Sequence, residues 1–301
     1  MKEYAPESIR NIALIGHGGG GKTSVSELML FTAGEINRIG NVLEGNTISD
    51  YTSNEIEKQI SISTALMHIE WNNKKINILD TPGYSDFIGE VKSAMKVCDT
   101  AIMVLKSAEG VEVGSEVSGK FVDEFGLPSA ILINKVDNEH SNFDETLDKA
   151  KQRLTNGAIA VTFPAIEGVT FDTVIDVLKM KAFTYGDAGS KKITETEIPE
   201  NLKSKAEELR TELIEKIAET NETLMNRYFE DGSLSDADIE TGLKAAIIGR
   251  SLTPVFAFSS TKAVGVNNFL DFIAAYFPSP VDRGGEEATL SGKSEKILIN
   301  P

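Results

Sequence analysis

A glycine-rich segment followed by a lysine and a threonine is the first feature of this sequence with recognisable chemistry. Residues 16–23 read Gly-His-Gly-Gly-Gly-Gly-Lys-Thr, between the apolar run 12–15 and a stretch, 24–31, whose apolar residues recur at helical spacing. In such a strand, loop and helix, glycines let backbone N–H groups converge on phosphate oxygens at the helix N-terminus. Lys22 is expected to reach the β- and γ-phosphates, and Thr23 to offer its hydroxyl to magnesium. The predicted phosphate-binding set is His17, Gly18, Gly19, Gly20, Gly21, Lys22, Thr23 and Ser24.

A second group of residues follows the strand predicted at 75–79. The string Asp80-Thr81-Pro82-Gly83 stands there, and alone it more often marks a turn that ends a strand. After a phosphate loop, however, it predicts a site in which Asp80 holds magnesium through water. The N–H of Gly83 is then expected to contact the γ-phosphate, since glycine permits close backbone approach.

A third group predicts which base is bound. Asn134-Lys135-Val136-Asp137 directly follows the buried strand predicted at 130–133. The Asp137 carboxylate can accept hydrogen bonds from N1–H and the 2-amino group of guanine, and adenine offers neither donor. Leaving a buried carboxylate unpaired is costly, so we expect discrimination against ATP of roughly 10⁴ or more. Asn134 is expected to tie the loop together, and the Lys135 stem to lie over the ring. By itself the motif also fits a solvated polar loop, but with the phosphate loop it predicts GTP or GDP bound with Mg²⁺.

The elements that must position these groups form an alternating pattern. Apolar strands are predicted at 12–15, 75–79, 101–105, 130–133 and 253–257, with helices at 24–31, 87–97, 113–125 and 266–277. Asn72-Asn73 predicts a hairpin that joins 62–71 to 75–79. The remaining strands, as continuous apolar runs between amphipathic helices, predict an α/β fold with a mostly parallel sheet and helices on both faces. The charged region 158–250, with long helices predicted at 202–217 and from Ser235, reads as an inserted subdomain.

Composition limits the classes of partner. The sequence has 46 acidic and 30 basic residues and a formal charge of −16, so free DNA or RNA is not expected as the main ligand. The single cysteine, Cys98, precludes an internal disulfide and is predicted to be buried. The three histidines lack metal-ligand spacing. Without a charged and apolar leader or an apolar run of ~18 residues, we expect a soluble, cytoplasmic, monomeric protein that does not enter membranes.

The order of these motifs resembles that of translational GTPases, and the chain is similar to the N-terminal part of elongation factor G-like proteins. The resemblance covers about residues 8–283 and includes 45–50 and 57–62 as a first switch, together with 174–182, 224–228 and 277–280. Asp50-Tyr51-Thr52 and Gly83-Tyr84 resemble the divergent second type of elongation factor G. The implied divisions are a GTPase domain at 1–157 and 251–283, an inserted α/β subdomain at 158–250, and a linker with the start of a second domain at 284–301. That family is normally more than twice this long, so we expect a fragment of a longer protein.

The resemblance also implies roles for residues that spacing alone does not assign. Ser61 stands where the family usually has a threonine that binds magnesium, and its hydroxyl is retained. Ser259-Ser260-Thr261 matches the last base-contacting loop, with the Ser260 N–H expected to face guanine O6. Tyr84 replaces the histidine that orients the attacking water, and Gly19 replaces an aspartate that supports a monovalent cation.

The implied activity is GTP hydrolysis that is slow without an activator, because a phenol can hydrogen-bond a water but cannot become a cation. Lys22, Gly83 and Tyr84 are the predicted catalytic set. The family uses the ribosome as its activator, and its inserted subdomain faces the ribosomal stalk. Two alternatives stay open: a nucleotide-dependent conformational switch with little hydrolysis, and another translational GTPase of the ribosomal protection or release factor type.

Overall fold

The computed structural model describes residues 2–188, 190, 192–284, 286–289 and 296–299. Its strands are β1 (Ile9–Ile15), β2 (Ala65–Trp71), β3 (Lys74–Asp80), β4 (Thr100–Lys106), β5 (Ser129–Asn134), β6 (Ala158–Ala160), β7 (Thr162–Pro164), β8 (Thr173–Asp176), β9 (Lys181–Tyr185), β10 (Ile193–Thr196), β11 (Thr253–Ala257), β12 (Glu286–Thr289) and β13 (Lys296–Ile299). Its α-helices are α1 (Lys22–Ala33), α2 (Ser53–Lys58), α3 (Ile88–Val97), α4 (Val113–Glu124), α5 (Phe143–Arg153), α6 (Glu200–Ala218), α7 (Glu222–Asp231), α8 (Asp236–Ile248), α9 (Val266–Tyr276) and α10 (Pro280–Arg283). Short 3₁₀ turns occupy Pro6–Ser8, Val42–Glu44 and Ser85–Phe87.

Seven strands form the main sheet, in the order β2-β3-β1-β4-β5-β11-β6. Only the β2–β3 pair, the predicted hairpin, is antiparallel within it. The segment that contains α1 leads from β1 to β2 and β3, at one edge of the sheet. The segments that contain α3, α4 and α5 lead in the other direction across the sheet, from β3 to β4, from β4 to β5 and from β5 to β6. Because such crossovers are right-handed, these two sets of helices cover opposite faces. The predicted α/β fold with a mostly parallel sheet is therefore confirmed.

The register of the sheet brings the predicted functional segments to a common edge. Leu14 near the end of β1 pairs with Asp80 at the end of β3, and Lys106 at the end of β4 pairs with Asn134 at the end of β5. Ala257, which ends β11, pairs with Ile133. The interior positions of β4, β5 and β11 are buried, as is β1 from Ile12 onward, since helices cover both faces. The loops that leave these strands therefore meet at the carboxyl edge, where parallel sheets usually bind ligands.

A separate antiparallel sheet of four strands, in the order β10-β9-β8-β7, follows β6, and α6–α8 come after it. β6 itself pairs with β11, so residues 158–160 belong to the main sheet although the predicted insertion begins at 158. The division of the chain into domains otherwise stays a prediction. The segment predicted as a linker and second-domain start, 284–301, lies partly outside the described residues; its described parts include β12 and β13, which pair antiparallel.

Cys98 is buried, as predicted. Of the helices in the described part of the chain, none combines the length and apolar character that crossing a bilayer would require.

Candidate nucleotide-binding site

The phosphate loop connects β1 to α1, and two of its glycines have no room for a side chain. Gly16 has a φ of 128°, and a Cβ there would lie 2.6 Å from the Val104 carbonyl oxygen. Gly21, the N-cap of α1, has a φ of 94°, and its Cβ would lie 2.5 Å from Asn134 Nδ2. Both positions therefore require glycine, because L-residues rarely adopt this conformation and the neighbouring atoms are close. The α1 N-terminus is left open toward the loop, as phosphate binding requires.

Lys22 spans the inside of this loop. Its Nζ donates hydrogen bonds to the carbonyl oxygens of Gly16 and His17, at 3.1 Å and 3.2 Å. Burial lowers the pKa of Lys22 to about 8, against the opposing effects of Asp80 and Asp50. A buried cation held by neutral carbonyl groups is well placed to pair with an anionic ligand, since pairing offsets the cost of its desolvation.

Three oxygen-bearing side chains meet beside Lys22. Thr23 Oγ1 donates to Asp80 Oδ2 at 2.8 Å and lies 3.2 Å from Ser61 Oγ. Burial raises the pKa of Asp80 to about 6, although the hydrogen bond from Thr23 and the charge of Lys22 act to lower it. The other carboxylate oxygen, Asp80 Oδ1, is buried and has no hydrogen-bond partner in the described chain. Hydroxyl and carboxylate oxygens are the ligands that Mg²⁺ prefers, so the three predicted metal residues fit this ion.

The loop after β3 packs directly on the phosphate loop. A Cβ at Gly83 would lie 2.5 Å from Lys22 Nζ and 2.7 Å from the backbone nitrogen of Gly18. The Tyr84 ring lies 3.4 Å from the place that a Cβ on Gly18 would occupy, and Tyr84 is 50% exposed. Gly83 and Tyr84 therefore lie where phosphate-loop ligands would be within reach, and only glycine permits the approach at position 83.

Asn134 joins the phosphate loop to the predicted base loops. Its Nδ2 donates to Gly20 O at 3.0 Å and to Ser260 Oγ at 3.2 Å. Its Oδ1 accepts from the Ser260 N–H at 3.0 Å. The Ser260 N–H, which is predicted to face guanine O6, donates in this structure to Asn134. A planar amide with both ends engaged holds the two loops in a fixed relation.

Asp137 keeps an acceptor unused. Its Oδ1 is buried, and none of the residues placed by the structure donates a hydrogen bond to it. Buried polar atoms nearly always have partners, so this oxygen is a candidate acceptor for a donor outside the protein. The N1–H and 2-amino donors of guanine are of the required type.

One cleft of about 660 Å³ joins the phosphate loop to Lys135, Ser260 and Thr261 of the base loops, a size in the range of small-molecule sites, but Asp137 is not among its lining residues. Predicted residues that line it are Gly18, Gly19, Gly21, Lys22, Thr23, Ser24, Ser61, Gly83, Tyr84, Lys135, Ser260 and Thr261. Asp80 and Asn134 lie buried behind this lining. The side chain of His17, which is predicted to bind phosphate, does not line the cleft. Its Nδ1 accepts from the Gly114 N–H at 3.3 Å, and its Nε2 lies 3.5 Å from Glu112.

The segment between α1 and β2 contributes further residues to the same region, among them Asp50 of the predicted first switch. Asp50 lines the cleft, is 4% exposed and has one carboxylate oxygen, Oδ2, with no partner in the described part of the protein. Burial raises the pKa of Asp50, while a hydrogen bond with Ser61 acts to lower it. Residues 39–44 form another part of the wall. No motif marks them, because they reach the cleft through the path of the segment between α1 and β2.

Comparison with known proteins agrees with this geometry. Residues 7–279 match the family described as the elongation factor Tu GTP binding domain. A protein of Thermus thermophilus, known from a crystal structure, is 29% identical to this chain and superposes with a TM-score of 0.87. The similarity covers 93% of this chain and 42% of that protein, so the chain spans less than half of its length. Since the family match includes the phosphate loop, Asp80 and the base loops, the chain belongs to the elongation factor Tu GTP-binding domain family of translational GTPases.

Proposed function

We propose that this chain binds GTP with Mg²⁺ and hydrolyses it to GDP and phosphate, as the GTPase module of an elongation factor G-like factor of the divergent second type. The observation that carries the proposal is the hydrogen bond from Asn134 to Gly20, because it holds the base-reading loop against the phosphate loop at one cleft. In this proposal, a guanine edge at Asp137 and phosphates at Lys22 would belong to one bound molecule.

The binding step uses groups that are already close together. Backbone N–H groups of the loop and Lys22 Nζ would hold the phosphates, with Lys22 exchanging its carbonyl acceptors for phosphate oxygens. Thr23 and Ser61 would bind Mg²⁺ directly, and Asp80 through water. This ion would neutralise charge on the β- and γ-phosphate oxygens. On the base side, Asp137 would accept from guanine and Lys135 would cover the ring.

Hydrolysis would proceed by attack of water on the γ-phosphorus and cleavage of its bond to the oxygen that bridges the β- and γ-phosphates. Lys22 and the Gly83 N–H would compensate the charge of the γ-phosphoryl group, a role that needs positioning more than covalent chemistry. Tyr84 is the candidate for placing the water. Since its phenol cannot act as a cation, we expect slow turnover without an activator.

The proposed activator is the ribosome, and the proposed contact with its stalk is the region 158–250. Helix α6 in this region has an acidic, exposed outer face. That surface fits a basic protein better than bare RNA, because RNA phosphates would be repelled.

A second candidate is a nucleotide-dependent switch with little hydrolysis. Tyr84 favours it, because this half-exposed phenol stands where the resemblance to translational GTPases implies a histidine. Single-turnover hydrolysis separates the two functions. If bound GTP persists for hours with and without ribosomes, the switch is correct and the GTPase assignment is wrong.

The test of the main proposal is phosphate release from GTP, measured with the longest natural form of the protein. We expect slow release alone and faster release with ribosomes, and Lys22→Ala should abolish both. Equal release from ATP and GTP, or release that Lys22→Ala leaves unchanged, would show that the cleft is not the GTPase site. The factor type is tested separately, by whether ribosomes of one functional state stimulate release more than others.

A further inference from the structure

The segment between α1 and β2 carries Ser61, and buried carboxylates hold it to the rest of the domain. Glu27, on α1, is 1% exposed. Its Oε2 accepts from the Gly40 N–H at 2.8 Å, and its Oε1 accepts from the Ile48 N–H. The first half of the segment is therefore attached to the helix that follows the phosphate loop.

Glu55, in α2, organises the second half in a different way. Its Oε2 accepts from the Thr52 N–H at 3.1 Å and the Thr52 hydroxyl at 2.6 Å, which completes a capping box at the start of α2. Its Oε1 accepts from the Ile62 N–H at 3.0 Å and the Ser63 N–H at 3.2 Å. One carboxylate thus bridges the beginning of the helix and the two residues directly after Ser61.

The burial of Glu55 separates it from an ordinary helix cap. Capping-box glutamates usually lie at the surface, yet Glu55 is 2% exposed. Burial acts to raise the pKa of Glu55, but its hydrogen bonds with Thr52, Ile62 and Ser63 lower it overall. A buried carboxylate that accepts this many hydrogen bonds holds the donor groups of its neighbours in one arrangement.

Ser61 is consequently held from both sides. Before it, Gln59 ends α2 in the left-handed conformation, with a φ of 55°. After it, the amides of Ile62 and Ser63 are fixed by Glu55, and the Thr64 N–H donates to Glu90 Oε2 at 2.8 Å. The 3.2 Å approach of Ser61 Oγ to Thr23 Oγ1 depends on this backbone path.

We propose that Glu55 is a positioning residue, which sets the backbone of Ser61 so that its hydroxyl serves as a magnesium ligand. The inference rests on the proposed role of Ser61 in binding Mg²⁺ with GTP. Glu55 itself lies outside the cleft lining and acts only through Ser61.

The experiment is a Mg²⁺ titration of the protein bound to a non-hydrolysable GTP analogue, followed by fluorescence of a labelled nucleotide. Groups that orient metal ligands typically contribute about 10–100-fold to metal affinity, so Glu55→Ala should weaken Mg²⁺ binding by that factor. Glu35→Ala is the matched control, because it removes the same charge from an exposed position between α1 and β2 that lies outside both first-switch segments, and it should leave the titration unchanged. Glu55→Gln should give an intermediate result, since an amide oxygen can still accept from Ile62 and Ser63 but its nitrogen cannot accept from Thr52.

A double-mutant cycle with Ser61→Ala distinguishes positioning from general stability. If Glu55 acts through the serine hydroxyl, adding Glu55→Ala to Ser61→Ala should change Mg²⁺ affinity by less than about twofold. The inference would be refuted if Glu55→Ala weakens Mg²⁺ binding as strongly in the Ser61→Ala protein as in the wild-type protein. It would also be refuted if the Glu55→Ala protein has the melting temperature of the wild type and binds Mg²⁺ with wild-type affinity. If Glu55→Ala does not fold, the Glu55→Gln cycle decides by the same criterion. Absence of any Mg²⁺-dependent GTP binding in the wild-type protein would instead refute the proposed function.

Discussion

Replacing Asp80 with asparagine should stabilise the nucleotide-free protein while weakening its response to Mg²⁺ and nucleotide. Asp80 is 1% exposed, and its Oδ1 has no hydrogen-bond donor within the described part of the chain. Asparagine keeps an oxygen that can accept from Thr23 Oγ1, so the main local hydrogen bond survives. What the substitution removes is a buried negative charge.

The magnitude follows from the pKa of Asp80, which burial raises from 3.8 to about 6. The pKa of Asp80 is higher in the folded protein than in the unfolded chain, so the folded state binds this proton more tightly. The stability that this proton contributes is fully present below pH 3.8 and is lost as the pH rises through about 6. Between about pH 4.5 and about pH 7 the wild-type protein should lose roughly 2 kcal/mol from this group, and Asp80→Asn should not. An unpaired amide N–H₂ at position 80 would cost stability equally at both pH values, so the difference between them isolates the charge.

The assay is urea unfolding of both proteins, stripped of nucleotide and metal, at those two pH values. Asp86→Asn is the control, since it neutralises an exposed carboxylate in the loop that follows. Excess GDP with Mg²⁺ should then raise the unfolding midpoint of the wild-type protein more than that of Asp80→Asn. A stability difference between Asp80→Asn and wild type that is the same at both pH values would refute the reasoning on Asp80.

Three further substitutions test other parts of the site. Asp137→Asn should transfer preference from guanine to xanthine nucleotides, because the amide can donate to the 2-oxo group of xanthine; unchanged GDP affinity in a fluorescence titration would contradict that role. Gly83→Ala should weaken GTP-analogue binding at least ~10-fold, because its Cβ would lie 2.5 Å from Lys22 Nζ and 2.7 Å from Gly18; calorimetry that shows wild-type affinity would mean the loop moves freely. Tyr84→His should increase ribosome-stimulated phosphate release, and an equal or lower rate would show that the tyrosine is not a weak substitute for histidine.

The strands and helices next to the motifs could be predicted closely from the sequence. The strand predicted at 253–257 agrees with β11, because a mostly apolar run of five residues has the length of a strand and is too short for a typical helix. α1 begins at Lys22, earlier than the predicted 24, since Gly21 in its left-handed conformation caps the helix. β2 begins at Ala65 instead of 62, because the amides of residues 62–64 bond to Glu55 and Glu90 and not to β3.

The groups that support the site could not be predicted from local patterns. Glu27 and Glu55 are acidic residues in helices, which are normally exposed, and nothing in their spacing indicates burial. Their partners lie in a segment without regular periodicity, so only the folded chain brings them together. Ser260 illustrates the same limit: its place in the base loop was predicted, but its N–H bonds to Asn134, a contact set by tertiary packing.

The measurement that tests the central claim most directly is the displacement of a fluorescent GDP analogue from the wild-type protein by GTP and by ATP, with Mg²⁺ present. If Asp137 and Lys22 hold the two ends of one nucleotide, GTP should displace the probe at concentrations roughly 10⁴-fold or more below those needed for ATP. Displacement by ATP and GTP at similar concentrations would contradict the assignment of this cleft to guanine nucleotides.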